Sequence, residues 1–352
     1  MVISGSERNA VRPRVVMLGT AGGPGWRAAG PHARSGIATA IAVGDAVYLV
    51  DCGRNAAQQL VNAGFNVSQL RALFVTHLHS DHVIDLSSLL IFGMMALKDS
   101  PGHRIRILGP GDRGALPPAS PRAKTPPQPV FPDNPTPGTS TMVDLLLRAH
   151  ATDVNDRVLD ALAPSPLGSF MAEDIVIPDG ARYHPNENPT PEMEPFEIYA
   201  DDLVSVTATL VRHPPIAPAF AFRFQTDDGS VTISGDTAPC ENLVRLARRT
   251  DLLCHEAIDF DAIEQRFRNR SDQAAQASMD HHRKSHTSAE QAGIIASAAG
   301  AKALALHHLV PSNTDPAAWD AAARTFGGKL YIPDDLDVIS FAAADETVHV
   351  AR

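Results

Sequence analysis

The stretch Thr76-His77-Leu78-His79-Ser80-Asp81-His82 constrains this chain more than any other, because four potential metal ligands fall within six residues at the junction of two apolar patterns. The run before it, Leu73 to Thr76, reads as a buried strand. The segment after it, Asp81 to Lys98, repeats Val83, Leu86, Leu90 and Met94 at helical spacing. Two imidazoles one residue apart at a strand end can face one cavity, and Asp81 and His82 in the first helical turn return toward it. That arrangement suits two adjacent metal ions, one for each pair of ligands. The alternative is a solvated polar loop, which would leave the framing strand and helix an accident.

The remaining polar clusters also follow strands. Val15 to Leu18 reads as a strand ending in the turn Gly19 to Pro24, and Ile37 to Val43 with Ala46 to Val50 as a hairpin about Gly44-Asp45. A helix, Asn55 to Ala63, precedes the Leu73 strand. Further along, Leu203 to Val211 is expected to be a strand that leads to His213 and Pro214-Pro215, where proline holds the chain out of helix. The hairpin Ala219 to Phe224 and Val231 to Ser234, turning at Asp227-Asp228-Gly229, ends in Ser234-Gly235-Asp236-Thr237. Asp236 has two carboxylate oxygens and so could bridge two ions; its alternative is to cap the helix Glu241 to Arg249. Leu252 to His255 and Ala303 to Leu306 are buried strands, the second running into His307-His308, between which spacing does not choose. Thr287 and Glu290 fit a capping box for a helix that stops at Gly300. His281 and His282 read as a solvated turn, and His255 as a packing residue.

Composition bounds the rest. With 352 residues, 44% of them hydrophobic, the chain can bury a large core. No apolar run approaches the ~18 residues a membrane span needs, and the first 14 residues lack a secretory apolar stretch. Three widely spaced cysteines, Cys52, Cys240 and Cys254, make no disulfide framework, so a reducing, cytoplasmic setting is expected. Between Pro110 and Ala200 lie 17 of the 28 prolines, nine of them from Ala115 to Ser140, with 13 acidic residues against 6 basic. This stretch carries −7 of the net −10 and reads as a lid, arm or linker.

Taken together, Leu18-Gly19-Thr20, Val50-Asp51-Cys52-Gly53, Thr76 to His82, Ser234 to Thr237, His255-Glu256-Ala257, His286-Thr287-Ser288-Ala289 and Leu306 to His308 resemble the metallo-β-lactamase superfamily. Within it they are similar to the branch of the tRNA 3′-processing endonuclease and its arylsulfatase and cyclic-nucleotide phosphodiesterase relatives. The resemblance implies an α/β (α+β) four-layer αββα sandwich, one domain over 1–352, with the 110–200 segment inserted. It implies two Zn2+ per chain, Mn2+ or Fe2+ being accepted by the same donor types. His77, His79 and His213 would hold the first ion, Asp81, His82 and His308 the second, with Asp236 between them. Asp81 and the pair Glu256–His286 would be catalytic, a metal-bridging hydroxide attacking while His286, oriented by Glu256, serves the leaving group; a surface imidazole is the alternative for His286.

Departures from the endonuclease shape the functional expectation. Arg54 stands where an acidic residue usually follows Asp-Cys-Gly, and Val310 and Ser312 replace the serine and arginine after the last histidine. The acidic insertion also offers no basic clamp for a long phosphate backbone. The reading favoured is thus hydrolysis of a carboxylic, phosphodiester or sulfate ester of a small molecule, with the insertion as substrate gate, nucleic acid not a partner, no membrane, and the homodimer common in this branch. The tRNA 3′-processing endonuclease is the alternative.

Overall fold

A computed structural model describes residues 12–25, 33–270, 272–341 and 350–351. The strands, in chain order, are β1 (Arg14–Gly19), β2 (Ala38–Val43), β3 (Ala46–Val50), β4 (Leu70–Phe74), β5 (Ile105–Pro110), β6 (Phe170–Ile175), β7 (Phe196–Ala200), β8 (Ser205–Leu210), β9 (Phe220–Gln225), β10 (Ser230–Ile233), β11 (Leu252–Ile258), β12 (Ala303–Val310), β13 (Lys329–Tyr331), β14 (Val338–Ser340) and β15 (Val350–Ala351). The α-helices are α1 (Ala56–Asn62), α2 (Ser80–Val83), α3 (Leu86–Ala96), α4 (Thr139–Ala149), α5 (Ala151–Leu159), α6 (Pro166–Ser169), α7 (Glu241–Leu246), α8 (Phe260–Phe267), α9 (Gln273–Ser285) and α10 (Ala289–Ala299).

Among the described residues the strands form two mixed sheets, ordered β15-β14-β1-β2-β3-β4-β5-β6 and β13-β12-β11-β10-β9-β8-β7. Alternation along β1 shows why they stack. Val15 and Met17 enter a core shared with Phe74, Phe222, Phe224 and Cys254 between the sheets, while Val16 and Leu18 face an outer core with Leu60, Leu86, Leu90 and Met94 from α1 and α3. A third core packs α7 and α10, through Leu243, Ala292 and Ile295, on the other sheet's outer face. Helix, sheet, sheet, helix is the four-layer αββα arrangement.

The apolar segment after His82 is not one helix. It breaks between α2 and α3, where the Asp85 amide donates to the Cys52 carbonyl and the Asp85 carboxylate accepts from the Ala57 amide. The break turns the ligand-bearing first turn independently of the core helix. Ser80–Asp99 is, by length and composition, apolar enough to cross a membrane, contrary to the expectation that no such run exists. In this fold Leu86, Leu89, Leu90 and Met94 lie inside the outer core.

Two further expectations shift. The α10 cap is Ser288, whose hydroxyl accepts from the Gln291 amide while the Gln291 side chain accepts from the Ser288 amide; Thr287 instead donates to the Thr237 carbonyl. The 110–200 segment is partly woven into the sheets, since β6 pairs with β5 and β7 with β8. Its proline-rich part, 115–137, runs without regular structure until α4.

Candidate metal centre

The site forms where strands of both sheets end, the usual working edge of parallel strands. β4 leads into 76–82, β8 into His213, β10 into Asp236, and β11 and β12 carry Glu256 and His308. His77 Nε2 and His213 Nε2 lie 3.0 and 3.1 Å from His79 Nδ1. His308 Nε2 lies 3.2 Å from His82 Nε2 and 3.3 Å from the Asp81 carboxylate. These are the two trios expected of two ions.

Asp236 sits between the trios. Its Oδ2 is 3.5 Å from His82 Nε2, 3.3 Å from His308 Nε2, 4.0 Å from His77 Nε2 and 3.9 Å from His213 Nε2. Gly235, at φ +58°, makes the turn that aims it inward. Asp236 Oδ1 and His308 Nδ1 are buried with no hydrogen-bond partner among the described residues. Imidazole nitrogens converging at 3 Å on one another, with orphaned oxygen beside them, form a donor set that suits cations of the zinc type.

Electrostatics follows from burial and these neighbours. Burial and then repulsion by His82, His213 and His79 push the His77 pKa well below its usual value, which keeps its ring neutral. Burial would raise the Asp236 carboxyl, but His308 and His82 outweigh it and hold the group ionised. For His82 burial lowers the pKa, yet Asp236, Asp51 and Asp81 raise it well above normal.

The structure chooses between the last two histidines. β12 carries a bulge against β11: His307 pairs with Glu256 and Leu309 with Ala257, which leaves His308 unpaired, at φ +48°. The extra residue turns His308 toward the trio, and a Cβ on Gly22 would fall 2.3 Å from its Nδ1, so glycine is required there. His307 faces Thr39 instead, at 3.3 Å.

Three placements were not foreseen. Asp51, matched only as a motif letter, accepts from His82 Nδ1 at 2.8 Å and from the Thr76 amide at 2.8 Å, so it orients the imidazole with Nε2 inward. Its position one residue beyond the end of β3 was the signal. His213 is oriented likewise by the Ser285 carbonyl, 2.9 Å from Nδ1. His281 and His282 are on helix α9, half-buried beside the site, and not in a solvated turn.

Glu256 and His286 do meet. Both Glu256 carboxylate oxygens lie 3.0 Å from His286 Nδ1, and Oε1 also accepts from the Thr237 amide at 2.7 Å. Burial depresses the imidazole pKa, but Glu256 outweighs it and lifts His286 to about 9.

Residues 34–106 match the family model described as anti-Pycsar protein Apyc1. The ribonuclease Z of Mycolicibacterium gilvum is 30% identical over 334 residues, spanning 92% of this chain and 94% of its own. That of Mycobacterium marinum is 28% identical over 311 residues, 86% and 91% of the two chains. Among solved structures, human tRNase Z, short form, superposes with a TM-score of 0.58 at 19% identity, covering 93% of this chain and 99% of that one. The metallo-β-lactamase fold protein YhfI from Bacillus subtilis gives 0.56 at 18%, covering 93% and 98%.

Proposed function

Because the chain belongs to the ribonuclease Z family of metal-dependent hydrolases, we propose that it is an endonuclease that removes the 3′ trailer from precursor tRNA. The observation that carries this reading is the end-to-end match to relatives named ribonuclease Z, together with the Glu256–His286 pair beside the two ligand trios.

His77, His79 and His213 would hold one divalent cation, Asp81, His82 and His308 the other, and Asp236 both. Bound there, zinc ions would supply Lewis acidity that acidifies water and offsets charge on the phosphoryl oxygens. The protein's own contribution is positional. Asp51 and the Ser285 carbonyl lock the tautomers of His82 and His213, and the Gly23 amide donates to Asp81 at 2.8 Å. His286, kept protonated by Glu256, gives its proton to the departing oxygen.

This reading replaces the small-molecule ester and the absence of a nucleic-acid partner. Those rested on the departures at Arg54, Val310 and Ser312 and on the insertion having no basic clamp, but cations need not come from the insertion. Arg266, Arg268, Arg270, Arg283 and Lys284 are all exposed on the hairpin of α8 and α9, which ends at His286. Arg270 pairs with Asp272 and Arg283 with Glu264, while Arg266 and Arg268 carry no ion pair among the described residues.

One feature supports a second reading, a small phosphodiester as substrate. The proline-rich segment is anchored to α9 beside the site through Arg122, which bonds Asp280 and Gln276, and so limits the approach. Incubating metal-loaded protein with precursor tRNA and, separately, bis(p-nitrophenyl) phosphate tests both. Trailer release that vanishes in Asp236→Asn supports the endonuclease; turnover of the phosphodiester alone establishes the second reading in its place.

A further inference from the structure

His281 stands at the mouth of the centre without a part in holding the ions. Its ring centre is 5.7 Å from that of His286, 5.9 Å from His213 and 6.1 Å from His79. One nitrogen from each of His213, His281 and His286 lies within 4.8 Å of the others. Yet His213 has both nitrogens engaged, Nδ1 with the Ser285 carbonyl and Nε2 at His79, and each trio is complete without His281.

Nor is this imidazole a loose surface group. Asp272 caps α9 by accepting from the Ala275 amide, and Arg122 clamps one face of the helix. Its guanidinium donates to Asp280 and, at 2.8 Å, to Gln276, while its carbonyl accepts from the Gln273 side chain. These contacts and the Ser285 bonds to Pro214 and His213 hold the helix that places His281 beside the site.

Hydrogen accounting then defines what it can bind. The Ser285 hydroxyl gives its proton to the Pro214 carbonyl, so toward His281 Nδ1, 3.4 Å away, it can only accept. With the imidazole proton on Nδ1, Nε2 carries a lone pair. A phosphoryl oxygen has no hydrogen to offer that lone pair; a hydroxyl has. The hydroxyl that lies beside a leaving O3′ is the vicinal ribose 2′-OH, and His286 is the neighbour assigned to the leaving oxygen.

We propose that His281 accepts a hydrogen bond from the ribose 2′-hydroxyl of the nucleotide whose 3′ oxygen departs, and so distinguishes RNA from DNA at the cleaved bond. The inference rests on the endonuclease reading above.

The experiment compares all-ribose precursor tRNA with the same molecule carrying a single 2′-deoxy nucleotide on the 5′ side of the scissile phosphate. Wild-type, His281→Ala and His281→Gln proteins are assayed with metal content measured in each. In wild type the deoxy substitution should reduce kcat/KM about tenfold, the range of one hydrogen bond to a partly buried acceptor. In His281→Ala the two substrates should be cleaved equally, at the rate of the wild type on the deoxy substrate, with both metal equivalents retained. His281→Gln, which keeps an acceptor, should restore part of the preference. Equal cleavage by wild type, or a preference undiminished in His281→Ala, overturns the assignment and leaves the endonuclease standing. Loss of metal in His281→Ala overturns it in favour of a ligand role. Failure of wild type to cleave the all-ribose precursor instead removes the endonuclease reading, and the assignment with it.

Discussion

Glu256 is fully buried, and His286 is the cation that compensates it. Because its pKa is raised from 6.5 to about 9, His286 carries its proton throughout the neutral range and loses it as pH rises through about 9. The sign is therefore definite: proton donation, and the stability the pair contributes, are complete below the unfolded value and decline on the alkaline side. We expect the rate on a substrate with a poor leaving group to fall above about pH 9 in wild type. In His286→Ala that limb should be absent and the rate should depend more steeply on leaving-group pKa, with Glu256→Gln affected less; pH–rate profiles for phenyl and p-nitrophenyl phosphodiesters measure both. A second contrast belongs to adjacent residues. His308→Ala should lose about one divalent-metal equivalent of the two-ion set by elemental analysis, whereas His307→Ala should keep the wild-type content, because only His308 joins Asp81 and His82.

Among the elements, the hairpin of α8 and α9 is the one whose charges gain meaning from where it sits. A cationic side chain at a phosphate releases counterions, so each contact adds to the salt dependence of binding. Replacing Arg266 and Arg268 together by alanine should weaken precursor tRNA binding and reduce the slope of log K against log salt by about 2, one unit for each contact. Filter binding from low to physiological salt reads the slope, and an unchanged slope would assign the backbone contacts to another surface. The break between α2 and α3 works differently: the four-residue turn carries Asp81 and His82, and the longer helix supplies the buried anchor.

Over the whole molecule, the candidate ligands come from the ends of β4, β8, β10 and β12, strands of both sheets, so ions held there would tie the two sheets together. Cations that bind the folded chain and not the unfolded one stabilise it by mass action, about 4 kcal/mol for each site held at a thousand times its Kd. Chelation should thus lower the melting temperature by roughly 5 °C or more, and readdition of zinc should restore it. An unchanged melting curve would mean that the sheets are held by their shared core alone. Polar clusters at strand ends were legible in the chain, at Thr76 to His82, at Asp236 and at His307-His308, because strand periodicity is a local property; their division into two trios came from the family resemblance. The two-sheet class and the Glu256–His286 pairing came the same way, from short motifs shared with that family. Other features required the folded chain, because they depend on register and on contacts between distant segments. A one-residue bulge selects His308 over His307, a shift of one residue moves the cap from Thr287 to Ser288, and Asp51 reaches His82 only when β3 lies beside β4. His281 joins the site for the same reason: α9 meets Pro214 and His213 through Ser285, and Arg122 through Asp280 and Gln276, and no local pattern encodes contacts at such separations.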